Sequence, residues 1–188
     1  MFLKDKRDVA INSRAVSGGN KQRDNISKED TRSPTVAMEA ALLSFIIDAE
    51  EERDFSVIDI PNAFIQTRVE YEKYMAFIKI CGVLVYIMVE IAPDVYKLNV
   101  TPEKKGLKQL LLQCQNALYG TMVEILLYYR KFTKSLTDVG FKINPYDPCK
   151  ANNMIDRQQM TICYHVDKCK LSHRRSKVND RMIKWLRQ

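Results

Sequence analysis

Apolar positions along the chain switch several times between a period of two and a period near 3.6. In the polar first thirty residues, a short extended stretch, Val9–Val16, lies between the turn signals Arg7-Asp8 and Gly18-Gly19 and predicts a hairpin. Ser33-Pro34 predicts a helix start, with Ser33 as cap and Pro34 where a missing N–H costs nothing. Val36, Ala40, Leu43 and Ile47 then hold one helical face, widened by Leu42 and Phe45. The acids Glu50, Glu51 and Glu52 end that helix, since negative charge is unfavourable at a helix C-terminus. Phe55–Ile60 predicts a buried strand broken by Pro61-Asn62, and Tyr74–Ile80 a second strand. Gly82–Ala92 fits strand or helix. Lys104-Lys105-Gly106 reads as a turn and Leu107–Cys114 as a strand. Met122, Ile125, Leu126, Tyr129, Phe132, Leu136 and Val139 have helical spacing, and Gly140 is a suitable stop. Cys149–Met154 and Gln159–Val166 flank Asp156-Arg157 as a hairpin, and Asn179–Arg187 predicts a short basic helix. Strands and helices are interspersed without a regular βα alternation and without an internal repeat, which favours an α+β fold.

Composition removes whole classes. At 188 residues, 46% apolar and 28% charged, the chain is sized for one domain and is neither disordered nor collagenous. No apolar run approaches the ~18–20 residues that span a bilayer. Met1–Arg7 lacks a signal-peptide core, and the five scattered cysteines include no Cys-x-x-Cys. Both point to an intracellular protein of cytoplasm or nucleus, neither secreted nor in a membrane, with reduced thiols. Cys163, His165, Cys169 and His173 are zinc-ligand types, but their spacings match no common zinc module. They read as neighbours scattered over two strands.

Charge is unevenly placed. Residues 168–188 hold eight bases (Lys168, Lys170, Arg174, Arg175, Lys177, Arg181, Lys184, Arg187) against one acid, Asp180. That segment alone accounts for the chain's net +7. A basic end can hold a phosphate backbone, although such runs are more often simply solvated. Trp185 on this segment reads as packing against the body of the fold rather than stacking on a base, and Tyr128 and Tyr129 read as core.

Two acids close apolar strands: Asp59 after Phe55–Ile58, and Asp167 after Met160–Val166. Carboxylates projecting together from strand ends can hold two magnesium ions for phosphoryl or nucleotidyl transfer, although acids at strand ends more often cap turns. Around them lies an ordered set of motifs: Ser33-Pro34-Thr35, Asp59-Ile60-Pro61-Asn62-Ala63-Phe64, Ala117-Leu118-Tyr119-Gly120, Gly140-Phe141 with Asp147-Pro148-Cys149, and His165-Val166-Asp167-Lys168. In this order and spacing the set resembles the copia-type retrotransposon reverse transcriptases, RNA-directed DNA polymerases, over nearly the whole chain. The resemblance implies a palm with an antiparallel sheet packed on two main helices, Pro34–Glu50 and Thr121–Val139, plus an N-terminal fingers hairpin. It divides the chain into a fingers remnant and linker (1–32), a palm-like domain (33–175) and a truncated basic C-terminal helix (176–188). Asp59 and Asp167 resemble the family's metal-binding aspartates. Phe64 resembles its steric gate against a ribose 2′-hydroxyl, and Arg14 more loosely a fingers arginine that grips a nucleotide triphosphate. The implied cofactor is Mg²⁺ or Mn²⁺, and the implied partners are an RNA or DNA template–primer and deoxynucleotide triphosphates.

The departures from the family pattern carry equal weight. Lys168 stands where the family has a third aspartate, replacing a carboxylate with an ammonium beside a site for divalent cations. At ~5 Å and an effective dielectric of ~20, that charge would repel a divalent ion by about 7 kcal/mol if it faced the site. Its alternatives are to swing into water or to pair with Asp167 in the metal's place. The chain also stops in the helix after the Asp167 hairpin, which implies that no thumb follows. The resemblance therefore implies a reverse transcriptase domain whose polymerase activity is absent or severely reduced. Two other readings stand beside it: a non-catalytic nucleic-acid-binding remnant using Arg174, Arg175, Lys177, Arg181, Lys184 and Arg187, and a fragment without function.

Overall fold

The computed structural model describes residues 2–5, 11–14, 26–70, 74–102 and 108–187. The expected turns at Arg7-Asp8, Gly18-Gly19 and Lys104-Lys105-Gly106 lie outside the described residues. The fold is α+β, and its strands pair antiparallel throughout. It divides into two compact units, Met1–Ile26 with Arg68–Met122, and Ser27–Thr67 with Val123–Gln188.

In the first unit, β1 (Phe2–Asp5) and β2 (Ile11–Arg14) form the expected hairpin, with Phe2 opposite Arg14. The second unit then supplies α1 (Met38–Glu50) and β3 (Asp54–Asp59). Returning to the first unit, β4 (Phe77–Cys81) precedes α2 (Val83–Ile91), α3 (Pro93–Tyr96), β5 (Val100–Pro102) and β6 (Lys108–Gln113). Strands β4, β6 and β5 make a three-stranded sheet in that order. The ambiguous segment is thus the helix α2, entered through Gly82 at φ +72°, a conformation that glycine adopts without a Cβ penalty.

The second unit is built on a five-stranded sheet in the order β3-β10-β9-β8-β7. Its remaining elements are α4 (Glu124–Asp138), β7 (Lys142–Ile143), β8 (Lys150–Ile155), β9 (Gln158–His165), β10 (Lys168–His173) and α5 (Ser176–Leu186). Asp156 and Arg157 both have positive φ and join β8 to β9 as a two-residue hairpin, the geometry that matches strand twist. Met160 to Tyr164 are buried without alternation, because helices cover both faces of β9. On one face Tyr164 meets α4, its ring 5.0 Å from that of Phe132. On the other face Lys150 reaches the Ala40 carbonyl of α1, and Lys170 reaches Asp48.

Helix α4 ends as its sequence predicts. The amide of Gly140, at φ +91°, donates to the Thr137 carbonyl, and that of Phe141 donates to Leu136. Its buried stripe is Leu126, Leu127, Tyr128, Phe132 and Leu136, so it is rotated from the expected one and leaves Ile125 and Val139 exposed. Helix α1 departs further. It begins at Met38 rather than Pro34, because the Ala37 amide donates to the Asp147 carboxylate 110 residues away, while the Ser33 hydroxyl turns to the Pro34 carbonyl. Its buried side chains are Ser44 and Asp48, whereas Leu42, Leu43, Phe45 and Ile46 are exposed. The expected apolar face therefore packs only in part: Ala40 and Ile47 are half-buried, while Leu43 is exposed. The sheet beneath presents two lysine side chains, and polar atoms of α1 meet them.

Candidate functional site

Of the two acids identified from sequence, Asp59 lies on β3 and Asp167 in the turn that leads into its neighbour β10. Asp59 is the last residue of β3, and Pro61, which has no amide hydrogen to give a ladder, follows two residues later. Asp167 lies in the two-residue turn from β9 to β10, and its carbonyl accepts the Ile60 amide at 2.8 Å. Val166, beside it, has φ +57°. A β-branched residue in this left-handed region is an outlier, and such strain costs on the order of 1–3 kcal/mol. The carboxylates of Asp59 and Asp167 act on the same two buried neighbours. The Tyr128 hydroxyl is pushed up chiefly by burial, with Cys169, Asp167 and Asp59 adding to it. The Cys169 thiol is pushed up to about 12, again chiefly by burial, then by Asp167, Asp59 and Cys163.

After Asp59, Asn62 takes a left-handed turn (φ +56°), and the Gln66 amide closes onto the Asn62 carbonyl. This turn carries Ala63 and Phe64 into the core. Phe64 meets Tyr128 edge to face, with ring centroids 5.7 Å apart. Arg14 closes β2 in the first unit, whereas both acids belong to the second.

Lys168 is largely solvated, and its ion-pair partner is Asp59 rather than Asp167. Strand register places it opposite Asp59, and its Nζ lies 3.6 Å from Asp59 Oδ2. Both side chains are about two-thirds exposed, at 65% and 62%, so water screens the pair and the bare Coulomb figure is an upper bound. Among the described residues no group of three or more His, Cys, Asp or Glu side chains is placed to hold a metal ion. The donor set is two carboxylates, one of them paired with an ammonium. It does not fit the Mg²⁺ pair that the family resemblance implies. Cys163, His165, Cys169 and His173 form no metal group either. The enclosed His173 ring accepts the Arg175 amide at Nδ1 and faces the Ile155 carbonyl through Nε2.

The basic segment is not one patch. Lys170 is buried, contacting the Asp48 carboxylate and, at 2.9 Å, the Ser44 hydroxyl, with its ammonium 4.3 Å from the Phe45 ring centroid. Arg174 approaches Glu52 at 3.9 Å, and Arg175 and Arg181 share Asp156 at 3.2 and 3.8 Å. Lys177, Lys184 and Arg187 are exposed on or beside α5, and none has an ion-pair partner among the described residues. Sequence reasoning missed the Lys170–Asp48 pair. Its only trace is a lysine at an interior strand position. No helix among the described residues is long and apolar enough to cross a membrane. No family model, curated protein or solved structure matches the chain.

Proposed function

We propose that the Ser27–Thr67 and Val123–Gln188 unit is a reverse-transcriptase-like palm in which Lys168 has replaced a metal ligand, leaving nucleotidyl transfer silent. One observation carries this reading: Asp59 ends β3, Asp167 lies in the turn leading into the neighbouring β10, and Lys168, opposite Asp59 in register, is salt-bridged to it. The order of the sequence motifs supports the family, and the ammonium accounts for the silence. With Lys168→Asp, three carboxylates would surround the same strand ends, a donor set suited to hard divalent cations. Template–primer and deoxynucleotide triphosphates are the partners that this reading assigns.

The test is single-nucleotide primer extension on a primed RNA template with Mg²⁺ or Mn²⁺, for wild type and Lys168→Asp, alongside calorimetric Mg²⁺ titration. Mg²⁺ binding and extension only in the variant would support the reading. Extension by the wild type at an ordinary rate would refute the silencing. A folded Lys168→Asp that neither binds Mg²⁺ nor extends would refute the palm assignment.

A second reading, non-catalytic nucleic-acid binding, is favoured by the exposed bases Lys177, Lys184 and Arg187. Three phosphate contacts on a duplex give a slope of log affinity against log salt near −3. An affinity flat with salt refutes this reading.

A further inference from the structure

Within the second unit, a cleft of about 290 Å³ opens between α4, α5 and the turn after β3. Three aromatic rings line it: Tyr128, Phe132 and Trp185. Its polar edge is Gln66, Lys131 and Ser135, and its lining contains one cation and no acid. Lys131 Nζ donates to the Gln66 carbonyl at 2.7 Å, and an ammonium has two more donors to offer. Trp185 is only half-buried and also lines a second cleft of about 280 Å³, walled by Val139, Phe141, Val178 and Met182.

We propose that the first cleft binds a small aromatic anion of one or two rings, its flat body against Trp185 and the edges of Tyr128 and Phe132 and its anionic oxygens on Lys131. The volume sits at the lower end for ligand pockets, which limits the ring count. Aromatic walls favour a flat apolar body through offset and edge contacts. A single cation without a nearby lining acid selects an anionic group over a cationic one. This inference is independent of the palm reading.

Trp185 is the chain's single tryptophan, so its indole N–H gives one resonance in a ¹⁵N–¹H spectrum; because the ring borders both clefts, the Ser135→Phe variant assigns a shift to the first. The experiment titrates 2-naphthoate, with 2-naphthalenemethanol as the neutral match, into the ¹⁵N-labelled chain. A saturable shift of that resonance is expected, with a Kd on the order of 0.1–1 mM for a ligand of this size. Lys131→Met and Gln66→Glu both change exposed side chains, and each should weaken 2-naphthoate at least about fivefold while leaving the alcohol unchanged. Ser135→Phe should abolish the shift by filling the cleft. An unmoved indole resonance at saturating 2-naphthoate overturns the site. Equal binding of acid and alcohol, or full binding to Lys131→Met, overturns the anion assignment. Undiminished binding to a folded Ser135→Phe overturns the location.

Discussion

Lys168 and Lys170 lie two residues apart on β10, and each pairs with an aspartate. Lys168 meets Asp59 at 3.6 Å with both side chains about two-thirds exposed. Lys170 meets Asp48 with side chains 9% and 5% exposed, under α1 and beside two aromatic rings. Position along the strand makes the difference, because Lys168 begins β10 at the sheet's end and Lys170 sits further in, beneath a helix. An exposed pair contributes ~0–1 kcal/mol, while loss of one partner from a buried pair strands a charge at a cost of ~3–5 kcal/mol. The fold therefore depends far more on the buried pair than on the exposed one.

The sharpest way to break this contrast is Asp48→Ala. It should cost ~3–5 kcal/mol in denaturant unfolding, because Lys170 loses its counter-charge in the interior. Replacing both partners, Asp48→Leu with Lys170→Met, should return the stability to within ~1 kcal/mol of wild type. If Asp48→Ala alone is mild, the pair is no anchor.

Cys169, between the two lysines, reports the other face of the strand. Its thiol at about 12, against an ordinary 9.0, leaves roughly a thousandfold less thiolate at neutral pH. Iodoacetamide at pH 8 should label exposed Cys81 and spare Cys169 until the chain unfolds. The linkage has a definite sign. A thiol raised by folding adds stability below pH 9, and this is lost as pH climbs from 9 to about 12. Denaturation midpoints should fall across that window. A flat profile would mean that Cys169 is not held neutral.

Smaller effects belong to the exposed pair. Lys168→Asp should acquire a Mg²⁺-dependent rise in melting temperature absent from wild type. With Mg²⁺ at ten times its Kd the stabilisation is about 1.4 kcal/mol. Lys168→Ala should shift stability by less than ~1 kcal/mol. A larger loss would show that the strand-end pair also holds the sheet together.

Local signals carried their predictions wherever the physics was local. The Asp156-Arg157 hairpin and the Gly140 helix stop depend on backbone conformations that neighbouring residues set, and both are present. The strand end at Asp59 followed from an apolar run closed by an acid, whereas β9 stops at His165 and leaves Asp167 in the turn. What failed was long-range. The start of α1 is fixed by Asp147, 110 residues on, which no local capping signal reveals. The buried positions of α1 are polar because Lys170 lies opposite, so periodicity found Ala40 and Ile47 at the edge of the packed face and missed Ser44 and Asp48. Lys170 itself was counted with surface bases because charge counting carries no burial. The interleaving of the two units was also invisible, since no change in composition marks residues 67/68 or 122/123.

Strand β3 has one last consequence. Among the described residues it is an edge strand of its sheet, with Phe55 and Val57 exposed and the Phe55 ring 5.6 Å from that of Phe45 on α1. A free ladder edge next to oily side chains invites a second molecule to extend the sheet, and that one a third. Colloidal behaviour is therefore set here: turbidity should rise steeply with concentration, and one charge at Val57 should postpone it.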